Sequence, residues 1–127
     1  MRPSLKFAAA LPFTDRPSVV LINIYKTTQG RQEELLRKLE TAARDVMRGL
    51  PGFISAAFHK GVDGVSIALY AEWESVDAWR GMANDETIAE AMKPVIEMST
   101  CEPMLFDASA PIWPEPSTLT LKSRETV

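Results

Sequence analysis

Three side chains in this sequence join a polar group to surroundings that could hold an organic ligand. They are Asn23 in the run SVVLINIYK, Trp73 at the end of LYAEW, and His59 in AAFHK. An amide and an indole N–H can each hydrogen-bond a ligand oxygen. An imidazole, with an unperturbed pKa of about 6.5, can move a proton near neutral pH. Each residue also has a structural reading. Trp73 can be a core plug at a strand end, Asn23 can bond a neighbouring backbone group, and His59, beside Lys60 and a turn, can be exposed and inert. Leu69, Tyr70, Trp79, Met82 and Met92 are the large side chains placed to line an apolar pocket around these groups. Glu72 and Glu74, which flank Trp73, read as solvated or rim charges, and Arg80 reads as a surface residue.

Other chemistries leave no trace. The chain has no GxSxG, phosphate-binding loop, HExxH or CxxC. One histidine excludes a multi-histidine metal centre, and the single Cys101 excludes an intramolecular disulfide. No metal and no cofactor are therefore expected. Net charge is -3 with Lys and Arg scattered, which argues against a nucleic-acid partner. The early apolar run MRPSLKFAAALPF is cut by Pro12 and Asp15 below the length of a secretory core or membrane span. A cytoplasmic protein with no membrane partner is the expectation.

The elements that must position these residues follow from periodicity. At 127 residues and 46% hydrophobic content the chain can build one core. Ser18 to Lys26 is apolar on both alternating sets, as in a strand covered on both faces, with Val19, Leu21, Asn23 and Tyr25 pointing one way. From Arg31 to Leu50, apolar residues recur at helical spacing up to GLPG, where Gly49 can take a positive φ and Pro51 ends the ladder. Phe53 to Gly61 and Val65 to Trp73 read as strands joined at Asp63-Gly64. Ser75 can cap a helix carrying Val76, Trp79 and Met82. ANDE interrupts that helix, and Pro94 kinks or restarts its continuation. A last strand lies within EPMLFDASAPIW. Residues 1–17 are assigned as an N-terminal extension, 18–112 as the domain and 113–127 as a tail, with Phe7, Phe13 and Trp113 docking on the body.

The order strand, helix, strand, strand, helix, strand predicts an α+β, ferredoxin-like βαββαβ sandwich: a four-stranded antiparallel sheet with its helices on one face. Strand parity leaves the other face apolar, with Val20, Ile22, Ile24, Ile54, Ala56, Phe58, Ala68 and Tyr70. Such a face predicts a homodimer packed sheet to sheet.

The segments VVLINIYKTTQGRQEELL, LPGFISAAFHKGVDG and YAEWESVDAW resemble the antibiotic biosynthesis monooxygenase (ABM) family from about Ser18 to Asp107. The resemblance implies a dimeric α+β barrel with a pocket between sheet and helices in each subunit. One branch of the family oxidises polyketide anthrones to quinones without a cofactor and carries an N-Y-A-x-W segment thought to hold the substrate. Tyr70 and Trp73 match that segment, while Leu69 stands at its asparagine position. A second branch degrades haem, using an asparagine on the first strand, a tryptophan after the third strand's apolar run and a histidine on the second helix as iron ligand. Asn23 and Trp73 match the first two, but the ligand position falls on Met92, so ligation by histidine is lost.

The expected activity is a cofactor-independent monooxygenase that oxidises an electron-rich aromatic (an anthrone, phenol or hydroquinone) to a quinone with dioxygen. Trp73 and Asn23 would bind and orient the anion, His59 would be the candidate base, and Tyr70 would support. The rival reading is a non-catalytic protein that holds or senses a hydrophobic aromatic metabolite. A third is a bare dimerisation module with a filled core.

Overall fold

The computed structural model describes residues 18–115. The elements run β1 (Val19–Lys26), α1 (Gln32–Ala42) continued by a π-helical turn (Ala43–Met47), β2 (Phe53–Lys60), β3 (Ser66–Trp73), α2 (Val76–Ala83), α3 (Glu86–Met98) and β4 (Thr100–Asp107). All strand neighbours are antiparallel in the order β2-β3-β1-β4. This is the expected ferredoxin-like α+β arrangement, with the second helical segment divided in two.

Local chemistry explains most boundaries. In α1, Leu35, Leu39 and Ala42 form the buried stripe, and Glu33 and Glu34 sit in the first turn, where a helix favours negative charge. The π-helical turn adds a residue to the helical repeat, so that Met47 is the next side chain buried after Ala42. The Ser75 hydroxyl accepts from the Ala78 amide at 3.0 Å to start α2, and the Asp85 carboxylate accepts from the Ile88 amide at 3.0 Å to start α3. Those two caps convert ANDE from an interruption into a junction between two helices. Pro94 neither breaks nor restarts α3, which runs continuously to Met98 and buries Val95. Asp63 accepts from the Val65 and Ser66 amides across the β2–β3 turn, where Gly64 has φ of 80°.

The side chains of the sheet fall in rows. On the helix side these are Phe53, Trp73, Val19 and Asp107; Ala56, Ala71, Leu21 and Leu105; Phe58, Leu69, Asn23 and Pro103; and Lys60, Ile67, Tyr25 and Cys101. Core packing is centred here, against Leu35, Leu39, Val95 and Met98. The opposite face carries Ser55, Glu72, Val20 and Phe106; Ala57, Tyr70, Ile22 and Met104; and His59, Ala68, Ile24 and Glu102.

One feature of β2 departs from simple alternation. Phe53 pairs with Trp73 and Ser55 with Glu72, so Ile54 is an extra residue opposite a single step of β3. This bulge reverses the parity of everything after it. Ala56 and Phe58, expected on the outer face, pack against the core, and Ser55, Ala57 and His59 take their place outside.

The positive φ after α1 belongs to Gly52 (82°), not Gly49. The last strand begins at Thr100 and ends at Asp107, and Trp113 is 65% exposed rather than docked. Phe7 and Phe13 lie outside the described residues.

Gly52 is held from two directions. Its carbonyl accepts from the Glu74 amide at 2.8 Å, and a Cβ added to it would lie 2.4 Å from the Cβ of Ala78. Positive φ and steric overlap act together at this position. Gly52→Ala is therefore expected to destabilise the fold by about 2–4 kcal/mol, measured by urea denaturation, with α2 losing its seat on the β2 end.

Candidate functional site

The end of β3 is buried on both faces. Trp73 has 0% of its surface exposed, and its ring meets that of Phe53 edge-on with centroids 5.4 Å apart and planes at 74°. Val76, Ala78, Trp79 and Met82 of α2 and Met92 of α3 pack, partly exposed, against the same core. Among the described residues the indole Nε1–H of Trp73 has no acceptor. A buried donor without a partner is uncommon in a finished core.

Asn23 shares the helix-side face of the sheet with Trp73 but stands in the row of Leu69. Leu69 is four residues from Trp73, about 13 Å along the strand. The Asn23 Oδ1 accepts from the Glu102 amide at 3.1 Å, tying β1 to β4, and the Asn23 side chain also hydrogen-bonds Tyr25. Burial pushes the Tyr25 hydroxyl well above the usual tyrosine range, Cys101 nearby adds to the rise, and the Asn23 bond opposes it. Tyr25 thus stays a neutral phenol. Leu69 is buried between Phe58 and Asn23. The layer around Asn23, Leu69 and Trp73, where the family resemblance implies a pocket, is packed by these side chains themselves.

Simple alternation along β2 would put His59 on the strand face of Phe53, but the bulge separates them. His59 is exposed on the outer face, in the row of Ala68, away from the helices and from Trp73. Tyr70 also lies on the outer face, as its parity predicted, with its hydroxyl raised above the ordinary range by burial and by the Glu72 charge. Asn23, Leu69 and Trp73 are therefore brought to one side of the sheet, and His59 and Tyr70 to the other.

Glu72 corrects the reading most sharply. It was expected to be solvated, yet only 1% of it is exposed. The Ser18 hydroxyl donates to its Oε2, and among the described residues its Oε1 has no partner. Alternation could not reveal this, because Glu72 sits at an outward position where a charge is ordinary.

Two clefts border the packed layer. One, of about 340 Å³, lies between the end of α1 and the free edge of β2 and is lined by Arg44, Arg48, Phe53, Ala56 and Phe58, with Glu40 at its side. The other, of about 710 Å³, lies between α1 and α3, with Arg37, Lys38, Asp45, Ala91 and Pro94 on its walls.

The family profile described as antibiotic biosynthesis monooxygenase matches residues 18–94. The chain belongs to this family. Tetracenomycin-F1 monooxygenase of Streptomyces glaucescens is 37% identical over 65 residues, 51% of this chain, which spans 58% of the length of that relative. Among solved structures, the ActVA-Orf6 monooxygenase of Streptomyces coelicolor, in complex with the ligand nanaomycin D, superposes with a TM-score of 0.72. It is 23% identical, over 80% of this chain and 96% of that one. SnoaB, a cofactor-independent oxygenase from Streptomyces nogalater, gives 0.67 at 22% identity over 78% and 99%. These two likenesses establish the fold of the ABM chain.

The Tyr25 environment has a measurable consequence. Because its folded pKa lies above the ordinary 10.0, the unfolded chain ionises first, and the stability that neutral Tyr25 contributes is present below pH 10.0 and lost as pH rises beyond it. Urea unfolding from about pH 9 to about pH 11 should show a steeper loss of stability in the wild type than in Tyr25→Phe.

Proposed function

We propose that this protein is a cofactor-independent monooxygenase that oxidises an electron-rich aromatic of anthrone, phenol or hydroquinone type to a quinone with dioxygen. The observation that carries the reading is the Trp73 indole, buried at the edge of the core with its N–H unpaired among the described residues. Membership of the family and the names of the relatives support it.

The chemistry asks little of the protein. An anthrone loses a methylene proton to solvent and becomes an enolate. The enolate gives one electron to dioxygen, and the resulting radical and superoxide combine, with a proton, to a hydroperoxide. Loss of water leaves the quinone carbonyl, so one oxygen atom enters the product and the other leaves as water. A donor fixed in low dielectric favours the anion, because it needs no reorganisation as charge develops. Trp73 is assigned that role, donating to the enolate or phenolate oxygen. Asn23 is assigned to orientation, since its amide is already committed to Glu102 and Tyr25. Trp79, Met82 and Met92, which pack on the core while staying partly exposed, supply the apolar walls, and Leu69 lies in the packed layer beneath. His59 and Tyr70 lie across the sheet and are not assigned the base.

One observation favours the rival reading of a binding protein: Leu69 places a buried hydrocarbon at the position where the family's oxygenases carry an amide. Turnover separates the two. Dioxygen uptake with quinone absorbance should be protein-dependent on a panel of anthrones and hydroquinones, and Trp73→Phe should lower kcat by about tenfold or more. Binding without uptake across the panel would establish the binding protein instead.

The outer sheet face supports a homodimer. Ile22, Ile24, Met104 and Phe106 are all at least 36% exposed and lie side by side on β1 and β4. The face is therefore richer in apolar residues on β4, and poorer on β2, than strand parity alone suggested. Light scattering at micromolar concentration should give twice the chain mass. Met104→Glu, at a site 59% exposed in the single chain, should halve it while leaving far-UV circular dichroism unchanged.

A further inference from the structure

The cleft at the free edge of β2 has the composition of an anion-recognition site. Arg44 and Arg48 are one helical turn apart along the chain and line the same 340 Å³ space with Phe53, Ala56 and Phe58. Among the described residues, ion pairs engage Arg31, Lys38, Lys60, Arg80 and Lys93, and neither of these two arginines takes part in one. Glu40 is the one carboxylate on the wall, so cations outnumber it two to one. The backbone beneath Arg44 is the π-helical turn, a local geometry often retained where side chains must be aimed.

The floor is apolar and its end wall is Phe53. The same phenyl ring meets the Trp73 ring with centroids 5.4 Å apart, so one side chain touches both the cleft and the indole whose N–H has no acceptor among the described residues. The bulge at Ile54 creates this arrangement by turning Phe53, Ala56 and Phe58 to the helix side together. A volume of 340 Å³ is enough for a planar ring system. Guanidinium groups recognise carboxylates through paired N–H donors and also stack on aromatic planes.

We propose that this cleft holds an aromatic substrate bearing a carboxylate. Arg44 and Arg48 bind the acid group, Ala56 and Phe58 bear only the ring that carries it, and the ring to be oxidised extends past Phe53 to Trp73. The proposal rests on the oxygenase reading for its substrate class, and it narrows that class to acidic polycyclic aromatics over their neutral counterparts.

Anthraquinone-2-carboxylate and its methyl ester are matched, unreactive probes. Their dissociation constants would be measured by calorimetry on the full chain and on Arg44→Gln/Arg48→Gln, whose fold is checked by its urea midpoint. The expected result is acid binding tighter than ester binding by about tenfold or more in the wild type, with that preference abolished in the double variant. Equal affinity for acid and ester in the wild type, or a double variant that keeps the preference, would overturn the proposal. Acid preference without dioxygen uptake from any anthrone sustains the cleft and removes the oxygenase reading. Uptake without acid preference does the reverse.

Discussion

The bulge at Ile54 is the constraint on which the rest of this protein's geometry depends. Side chains alternate with a period of two along a strand, so one extra residue moves every later side chain to the other face. In β2 that single step sends Phe58 and Ala56 into the core layer and His59 out of it. It also leaves Phe53 opposite Trp73, where the two rings meet edge to face. Without the extra residue, Phe53 and Phe58 could not both face the helices, because five residues apart is an odd step. The wall between the β2 cleft and Trp73 exists only because of it.

At the end of β3, consecutive residues are buried in opposite directions. Trp73 faces the helices and Glu72 the other side, and each leaves one polar atom without a partner among the described residues. The costs of these two orphans differ in kind. An indole N–H in an apolar layer forgoes one hydrogen bond, whereas a carboxylate that loses water forgoes far more unless donors replace it. Ser18 supplies one such donor to Glu72. The element that follows, α2, has no fully buried residue and is seated through Ala78 on Gly52. Trp73 is therefore a tightly packed group beneath a lightly anchored helix, a combination suited to a site that must open to admit a planar ligand.

Asn23 shows how a polar residue on a core face can serve architecture first. Its amide ties β4 to β1 through the Glu102 backbone and holds the Tyr25 phenol. β4 is an edge strand that contains Pro103, which donates nothing to the ladder, and the Asn23 bond to the preceding residue, Glu102, fastens that edge. A role in ligand orientation is compatible with this one, since both ask that the amide be held still.

What the sequence by itself determined is whatever depends on near neighbours. The alternation of β1 and β3, the Leu35–Leu39–Ala42 stripe, the Asp63-Gly64 turn and the Ser75 cap all rest on spacings of two to seven residues, and they place Asn23, Leu69 and Trp73 on the helix side. The family likeness of YAEWES singled out Trp73 for the same reason, as a local pattern. Only the tertiary structure decided the rest. The burial of Glu72, the Asn23–Glu102 bond and the cleft of Arg44 and Arg48 against Phe53 and Phe58 join residues far apart in the chain. Each depends on strand register, and register across β2 turned on one bulged residue that no short-range pattern announces. The charge of Arg44 is visible in the sequence, but the apolar floor beneath it is a product of the fold.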